Sequence, residues 1–204
     1  MTTSNVRIVS MAKVKMKDID TLILDCDGTL TDGMFLVSDR GSVSKNFNTK
    51  DFVAIYEWVV LEGNRVAIIS GSSDKCAQAK MDCLEWVKDY PDRVAVFSGV
   101  LDKKGHIGSV LGENTCCLSY PLHQTPRWSW DFTWDNVAYM GDQTNDLSSM
   151  AVSAITGCPI DAHESIIEES DMISEHKGGG GCVAEFIQWI LACKGQEEKD
   201  EKNV

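Results

Sequence analysis

Short apolar runs and helical patterns alternate along this chain. Leu22-Ile23-Leu24, Arg65 to Ile69, Val94 to Phe97 and Asn136 to Met140 are too short for helices and carry little polar alternation. That is the pattern of strands covered on both faces. Between them, Lys50 to Leu61 puts Phe52, Ile55, Tyr56 and Val59 at helical spacing and ends at Gly63, where a helix-terminating glycine belongs. A second helix is expected to start at the serines after Ser70, which are good N-caps. Further helices are expected over Lys103 to Leu111, after Asp146 to about Val152, and over Val183 to Leu191. Short strands at Ala154–Thr156 and Met172–Ser174 complete the series. Met34 to Val37 and Val43 to Phe47 flank Ser38-Asp39-Arg40-Gly41, which reads as a hairpin.

Strands that alternate with helices predict an α/β fold with a doubly wound, mostly parallel sheet. The domain is expected over 18–193, behind a polar N-terminal lead-in (1–17). It includes a hairpin flap at about 34–47 and an aperiodic insertion at about 112–135 that holds Pro121, Pro126, Trp128, Trp130 and Trp134. A charged tail, 194–204, is expected to be disordered. The insertion's tryptophans read either as a satellite cluster folded on the domain or as a binding patch.

Charge narrows the partners. The net charge of -12 over 204 residues argues against nucleic acid. It leaves room for a small anionic substrate, because a metal ion and a lysine can reverse the local potential. No apolar run reaches membrane-spanning length. The 8 cysteines are scattered, with no Cys-x-x-Cys, so they are expected to be reduced thiols of a cytoplasmic protein. His163 and His176 lack paired ligand spacing.

The polar residues that end the strands carry the chemistry. Asp25 and Asp27 leave the first strand two residues apart, on one face, with Cys26 turned inward and Gly28 allowing a sharp turn. Ser70 ends the second strand, and Gly141-Asp142-Gln143-Thr144-Asn145-Asp146 ends the fourth. In doubly wound sheets ligands bind beyond the carboxyl ends of the strands, where strand order reverses. Carboxylates gathered there suit a hard cation and phosphoryl chemistry.

The ordered series Asp25-Cys26-Asp27-Gly28-Thr29, Ser70, Lys103 and Gly141 to Asp146 resembles the four motifs of the haloacid dehalogenase (HAD) superfamily. Taken alone, Ser70 reads first as a helix cap and Lys103 first as a solvated surface charge; only their order in the series reverses that. The stretches Leu30-Thr31-Asp32-Gly33, Asn48-Thr49-Lys50-Asp51, Ile160-Asp161-Ala162-His163 and the glycines before Val183-Ala184-Glu185-Phe186 resemble a capless subgroup. It contains octulosonate 8-phosphate phosphatases, nonulosonate 9-phosphate phosphatases and the C-terminal domain of acylneuraminate cytidylyltransferases. The resemblance implies a Rossmann-like HAD fold with the hairpin in place of a cap, and hydrolysis of a phosphorylated sugar acid through an aspartyl-phosphate. Asp25 would be the nucleophile and Asp27 the acid and base, with Ser70 and Lys103 on the phosphoryl oxygens. Mg2+ would be held by Asp25, the Asp27 carbonyl and Asp142, with Asp146 in or near its outer sphere. Gly71, Lys50, Asp32 and Asn145 are candidate substrate contacts. The resemblance implies a small phosphorylated metabolite as partner and a homotetramer as assembly. Ser72 and Gly180 stand where related chains often carry arginine, which leaves the sugar open. The alternative is a non-catalytic tetramerisation module. The glycine run, Gly178 to Gly181, reads either as a flexible hinge or as a place where the backbone passes close to a phosphate or a neighbouring subunit.

Overall fold

The computed structural model describes residues 16–111 and 133–202. Most of the insertion, Cys116-Cys117 and most of the lead-in lie outside the described residues. The elements are β1 (Thr21–Asp25), β2 (Leu36–Val37), β3 (Val43–Ser44), α1 (Thr49–Tyr56), β4 (Arg65–Ser70), α2 (Cys76–Asp82), β5 (Val94–Ser98) and α3 (Lys103–Leu111). After the insertion come β6 (Val137–Met140), α4 (Leu147–Met150), β7 (Ile155–Cys158), α5 (Glu164–Glu169), β8 (Met172–Ile173) and α6 (Cys182–Lys202).

Six strands form one sheet in the order β5-β4-β1-β6-β7-β8, and every pairing in it is parallel. The chain winds outward from β1 to β5, then returns past β1 to β6 and winds the other way. The strand order therefore reverses at β1, with β4 and β6 on either side. Leu22, Ile23 and Leu24 are fully buried, as are Ala138, Tyr139 and Met140. Leu22 and Leu24 belong to the core on one side of the sheet, Ile23 and Tyr139 to the core on the other. Covering helices on both faces account for the apolar runs that showed no alternation.

Three elements depart from the sequence expectation. The second helix begins at Cys76 rather than at the serines; Ser70 and Ser72 spend their hydroxyls on Asp27 and Asp74 instead. A six-residue helix, α5, had no signal long enough to show periodicity; His163 caps it by accepting from the Ser165 N–H. The largest correction is at the C-terminus. Residues 194–202 are not a disordered tail but the end of α6. Glu197 there accepts from the backbone N–H groups of Met16 and Lys17, and Glu201 pairs with Lys17. Tertiary contacts hold a segment whose composition alone reads as unfolded.

A buried carboxylate ties the helices that carry the flap and the glycine run. Asp51 in α1 is fully buried, and its Oδ1 accepts from the Ala184 N–H at the start of α6 (2.8 Å), while Oδ2 has no partner. Burial pushes its pKa from 3.8 to about 6, against the opposing pull of the α6 backbone donors. An acid whose folded-state pKa is raised contributes stability that is present at low pH and lost as pH rises through that value. The loss falls between pH 3.8 and about 6 and amounts to about 3 kcal/mol. Asp51→Asn lacks the titration. The difference in unfolding free energy between variant and wild type should therefore move in the variant's favour between pH 4 and pH 7 in urea melts. A pH-independent difference excludes this assignment.

Candidate active site

The carboxyl edge of the sheet at β1 gathers the polar strand ends. Asp25 is the last residue of β1. The chain then turns through Cys26–Leu30, closed by the Thr31 N–H on the Cys26 carbonyl at 3.0 Å. Cys26 points into the core and Asp27 stands half-buried at the surface of the turn. Gly28 sits at φ 95°, and a Cβ there would collide with the Asp142 carboxylate. The glycine therefore serves both the turn and the approach of the β6 loop. The glycine run has a similar function. A side chain at Gly178 would strike the Gly28 carbonyl, and the Gly179 N–H donates to the Thr29 carbonyl at 2.9 Å. The run makes a close backbone approach, but to the chain's own loop at residues 28–32, which neither reading from the sequence named.

Asp25, Asp142 and Asp146 each place a carboxylate oxygen within 4.8 Å of the others. Lys103, the first residue of α3, is buried among them; its ammonium donates to Asp25 Oδ1 and to Asp146 Oδ1, the latter at 2.7 Å. Asp146 is saturated: Oδ1 also accepts from the Tyr139 hydroxyl (2.6 Å), and Oδ2 from the N–H groups of Asp142 and Gln143 (3.2 Å each). Its role here is to fix Lys103 and the β6 loop. Asp142 is different. Its Oδ1 is buried without a hydrogen-bond partner, and burial pushes its pKa to about 6. Burial also raises the Asp25 carboxyl, with Lys103 pulling it back. Three carboxylates around one ammonium leave an oxygen-rich cluster with one buried carboxylate oxygen unpartnered. The donor set fits a hard divalent cation such as Mg2+.

Beside it opens a cleft of about 360 Å³ lined by Asp25, Asp27, Gly71, Ser72, Gln143, Thr144 and Asn145. Gly71 and Asn145, singled out in the sequence, are in it. Lys50 and Asp32 are exposed residues outside this lining, and Asp32 accepts from the Met34 N–H at 3.0 Å. Ser70 Oγ does not point at open space; it donates to Asp27 Oδ2 (3.0 Å) and accepts from the Ser72 N–H. Sequence reasoning missed Lys45, whose ammonium reaches Asp27 Oδ1 at 2.6 Å and Asp74 Oδ2 at 2.5 Å. It also missed Tyr139, read only as a strand residue.

No family model matches the chain. Among curated proteins it is 28% identical over 182 residues to the 3-deoxy-D-manno-octulosonate 8-phosphate phosphatase KdsC of Salmonella typhi, covering 89% of this chain and 84% of that one. Among solved structures it resembles a HAD-superfamily (subfamily III A) hydrolase from Legionella pneumophila, with TM-score 0.68, 24% identity, and coverage of 90% of this chain and 87% of that one. The chain is thus similar in sequence to octulosonate 8-phosphate phosphatases and shares the fold of HAD-superfamily structures. A further HAD-fold neighbour is the octulosonate 8-phosphate phosphatase of Moraxella catarrhalis, solved with magnesium, phosphate and KDO. It has TM-score 0.68 and 21% identity, and the match covers 92% of this chain and 94% of that one. The hairpin β2–β3 stands beside the cleft, with Lys45 reaching Asp27 and the Val43 carbonyl accepting from Cys76.

Proposed function

We propose that this chain is a Mg2+-dependent phosphomonoesterase that works through an aspartyl-phosphate on a phosphorylated sugar acid of the octulosonate or nonulosonate type. The observation that carries the reading is the meeting of Asp25, Asp27, Lys103 and Asp142 at the switch point of the sheet. Asp25 attacks phosphorus, and the bond to the leaving oxygen breaks as the new bond forms. Asp27, held by Ser70, gives its proton to the departing alkoxide and later takes one from the water that cleaves the acyl phosphate. Lys103 steadies charge on the transferring oxygens. Asp25, the Asp27 carbonyl and Asp142 are the groups that would hold Mg2+, which supplies neutralisation of the anionic reactants and orientation of the phosphoryl group.

Among the described residues the cleft lining contains no arginine or lysine; Ser72 is in it, and the Gly180 N–H donates to the Lys177 carbonyl. A substrate screen therefore sets octulosonate 8-phosphate and nonulosonate 9-phosphate beside neutral sugar phosphates. Phosphate release from at least one of them is expected with Mg2+, lost after EDTA treatment and restored by Mg2+. Undiminished turnover in EDTA rules out the metal assignment.

The assembly is proposed to be a homotetramer. Met34, Phe35, Leu36 and Val37 of the hairpin are all exposed, a contiguous apolar stretch of the kind that marks an interface. Light scattering that returns a monomer removes this element. Cytoplasmic residence is proposed because Cys26, Cys76, Cys83, Cys158, Cys182 and Cys193 are free thiols. Among the described residues, no helix is long and apolar enough to cross a membrane.

A further inference from the structure

The hairpin exposes its apolar residues but turns one cation inward. Lys45, directly after β3, has a side chain only 3% exposed, and its ammonium bridges Asp27 Oδ1 and Asp74 Oδ2. Asp74 is itself fixed: it accepts from the Ser72 hydroxyl (2.5 Å) and from the Cys76 N–H (2.9 Å). The Cys76 thiol in turn donates to the Val43 carbonyl at 3.6 Å. The β4–α2 turn and the hairpin are thus fastened together, and the fastening ends on Asp27. From the other side, Ser70 at the end of β4 holds Oδ2. The Asp27 carboxyl group is clamped at both oxygens, by residues from two separate elements.

We propose that Lys45 is a positioning residue for proton transfer, holding the Asp27 carboxyl group in the orientation that reaches the leaving oxygen. The hairpin thereby becomes part of the catalytic apparatus. An ammonium has donors only, so Lys45 keeps Oδ1 an acceptor and disfavours a proton there; the Ser70 hydroxyl at Oδ2 can either donate or accept. The proton that Asp27 passes to the alkoxide is therefore assigned to Oδ2, and the same oxygen takes the proton from the attacking water. Without Lys45, the carboxyl group loses one of its two clamps and swings about its side-chain torsions. Misplacement of that order is costly in a proton-transfer step.

This inference rests on the phosphatase reading, and the test separates the two. An alkyl ester such as octulosonate 8-phosphate needs a proton on its leaving oxygen; p-nitrophenyl phosphate, with an acidic phenol, does not. Wild type, Lys45→Met, Asp27→Asn and the double variant are assayed on both esters with saturating Mg2+. Lys45→Met should lower kcat/KM, which reports only the steps through departure of the leaving group, on the order of 10²-fold on the alkyl ester and by less than about threefold on the aryl ester. In the Asp27→Asn background it should have no further effect on the alkyl ester, because two residues acting as one unit are non-additive. Should Lys45→Met fail to fold in circular dichroism melts, Asp74→Asn takes its place; it slackens the anchor while keeping the ammonium, and should show the same split at smaller size. Equal losses on both esters, or full additivity with Asp27→Asn, overturn the proposal. A wild-type protein that hydrolyses neither ester overturns the phosphatase reading and the proposal together.

Discussion

Asp25→Asn should abolish phosphate release, by on the order of 10⁴-fold or more, and leave the fold in place. The amide keeps the shape of the side chain but cannot attack phosphorus, so no covalent intermediate forms on it. The fold should survive because Asp25 sits at the end of β1 and is not a packing residue of either core. Burial opposes its charge, so replacing it with a neutral isostere removes a desolvation cost even as it removes the partner of Lys103. Melting temperature should change little, while turnover of every tested monoester disappears. Wild-type turnover in Asp25→Asn would falsify the mechanism. A wild-type protein that is a well-formed tetramer but inert on every monoester would instead favour the assembly-module alternative.

The parts of this site legible in the sequence are those fixed by local chain direction. Asp25, Asp27, Ser70 and Asp142 lie at strand ends, and apolar runs reveal strand ends directly. Lys103 could be placed only through its position in the ordered series. Nothing around Lys103-Lys104-Gly105 marks one lysine as buried, and the neighbouring Lys104 is exposed. Lys45 and Asp74 left no signal, because what unites them is a contact between a hairpin and a distant turn. A lysine in a polar flap and an aspartate after two serines each read as solvated residues. The same limit applies to the end of α6, where a stretch dominated by Gln, Glu, Lys and Asp is helical because it meets residues 16 and 17. Local pattern reveals which way each strand runs and what it ends in; it does not reveal which loops come back to touch those ends.

Lys103→Met should separate two functions that a single ammonium now performs. The side chain is buried between Asp25 and Asp146. Burial works against its charge, but the two carboxylates outweigh that and hold its pKa above the ordinary lysine range. Removing one partner of a buried ion pair strands the others, which typically costs about 3–5 kcal/mol. In EDTA the variant should therefore melt well below wild type. Mg2+ brings two positive charges to the same carboxylates. A ligand that binds only the folded state stabilises by mass action, about 2.7 kcal/mol at a hundredfold excess over Kd. Most of the lost stability should return in saturating Mg2+, and the Mg2+ concentration needed should not rise, since a competing cation has gone. Turnover should not return with it. The methyl thioether offers no donor to the phosphoryl oxygens, so kcat should remain lower by on the order of 10²–10³-fold. Thermal melts and initial rates over one Mg2+ titration read both effects. If saturating Mg2+ restores wild-type kcat, Lys103 serves charge balance alone, and phosphoryl stabilisation must come from another donor in the cleft.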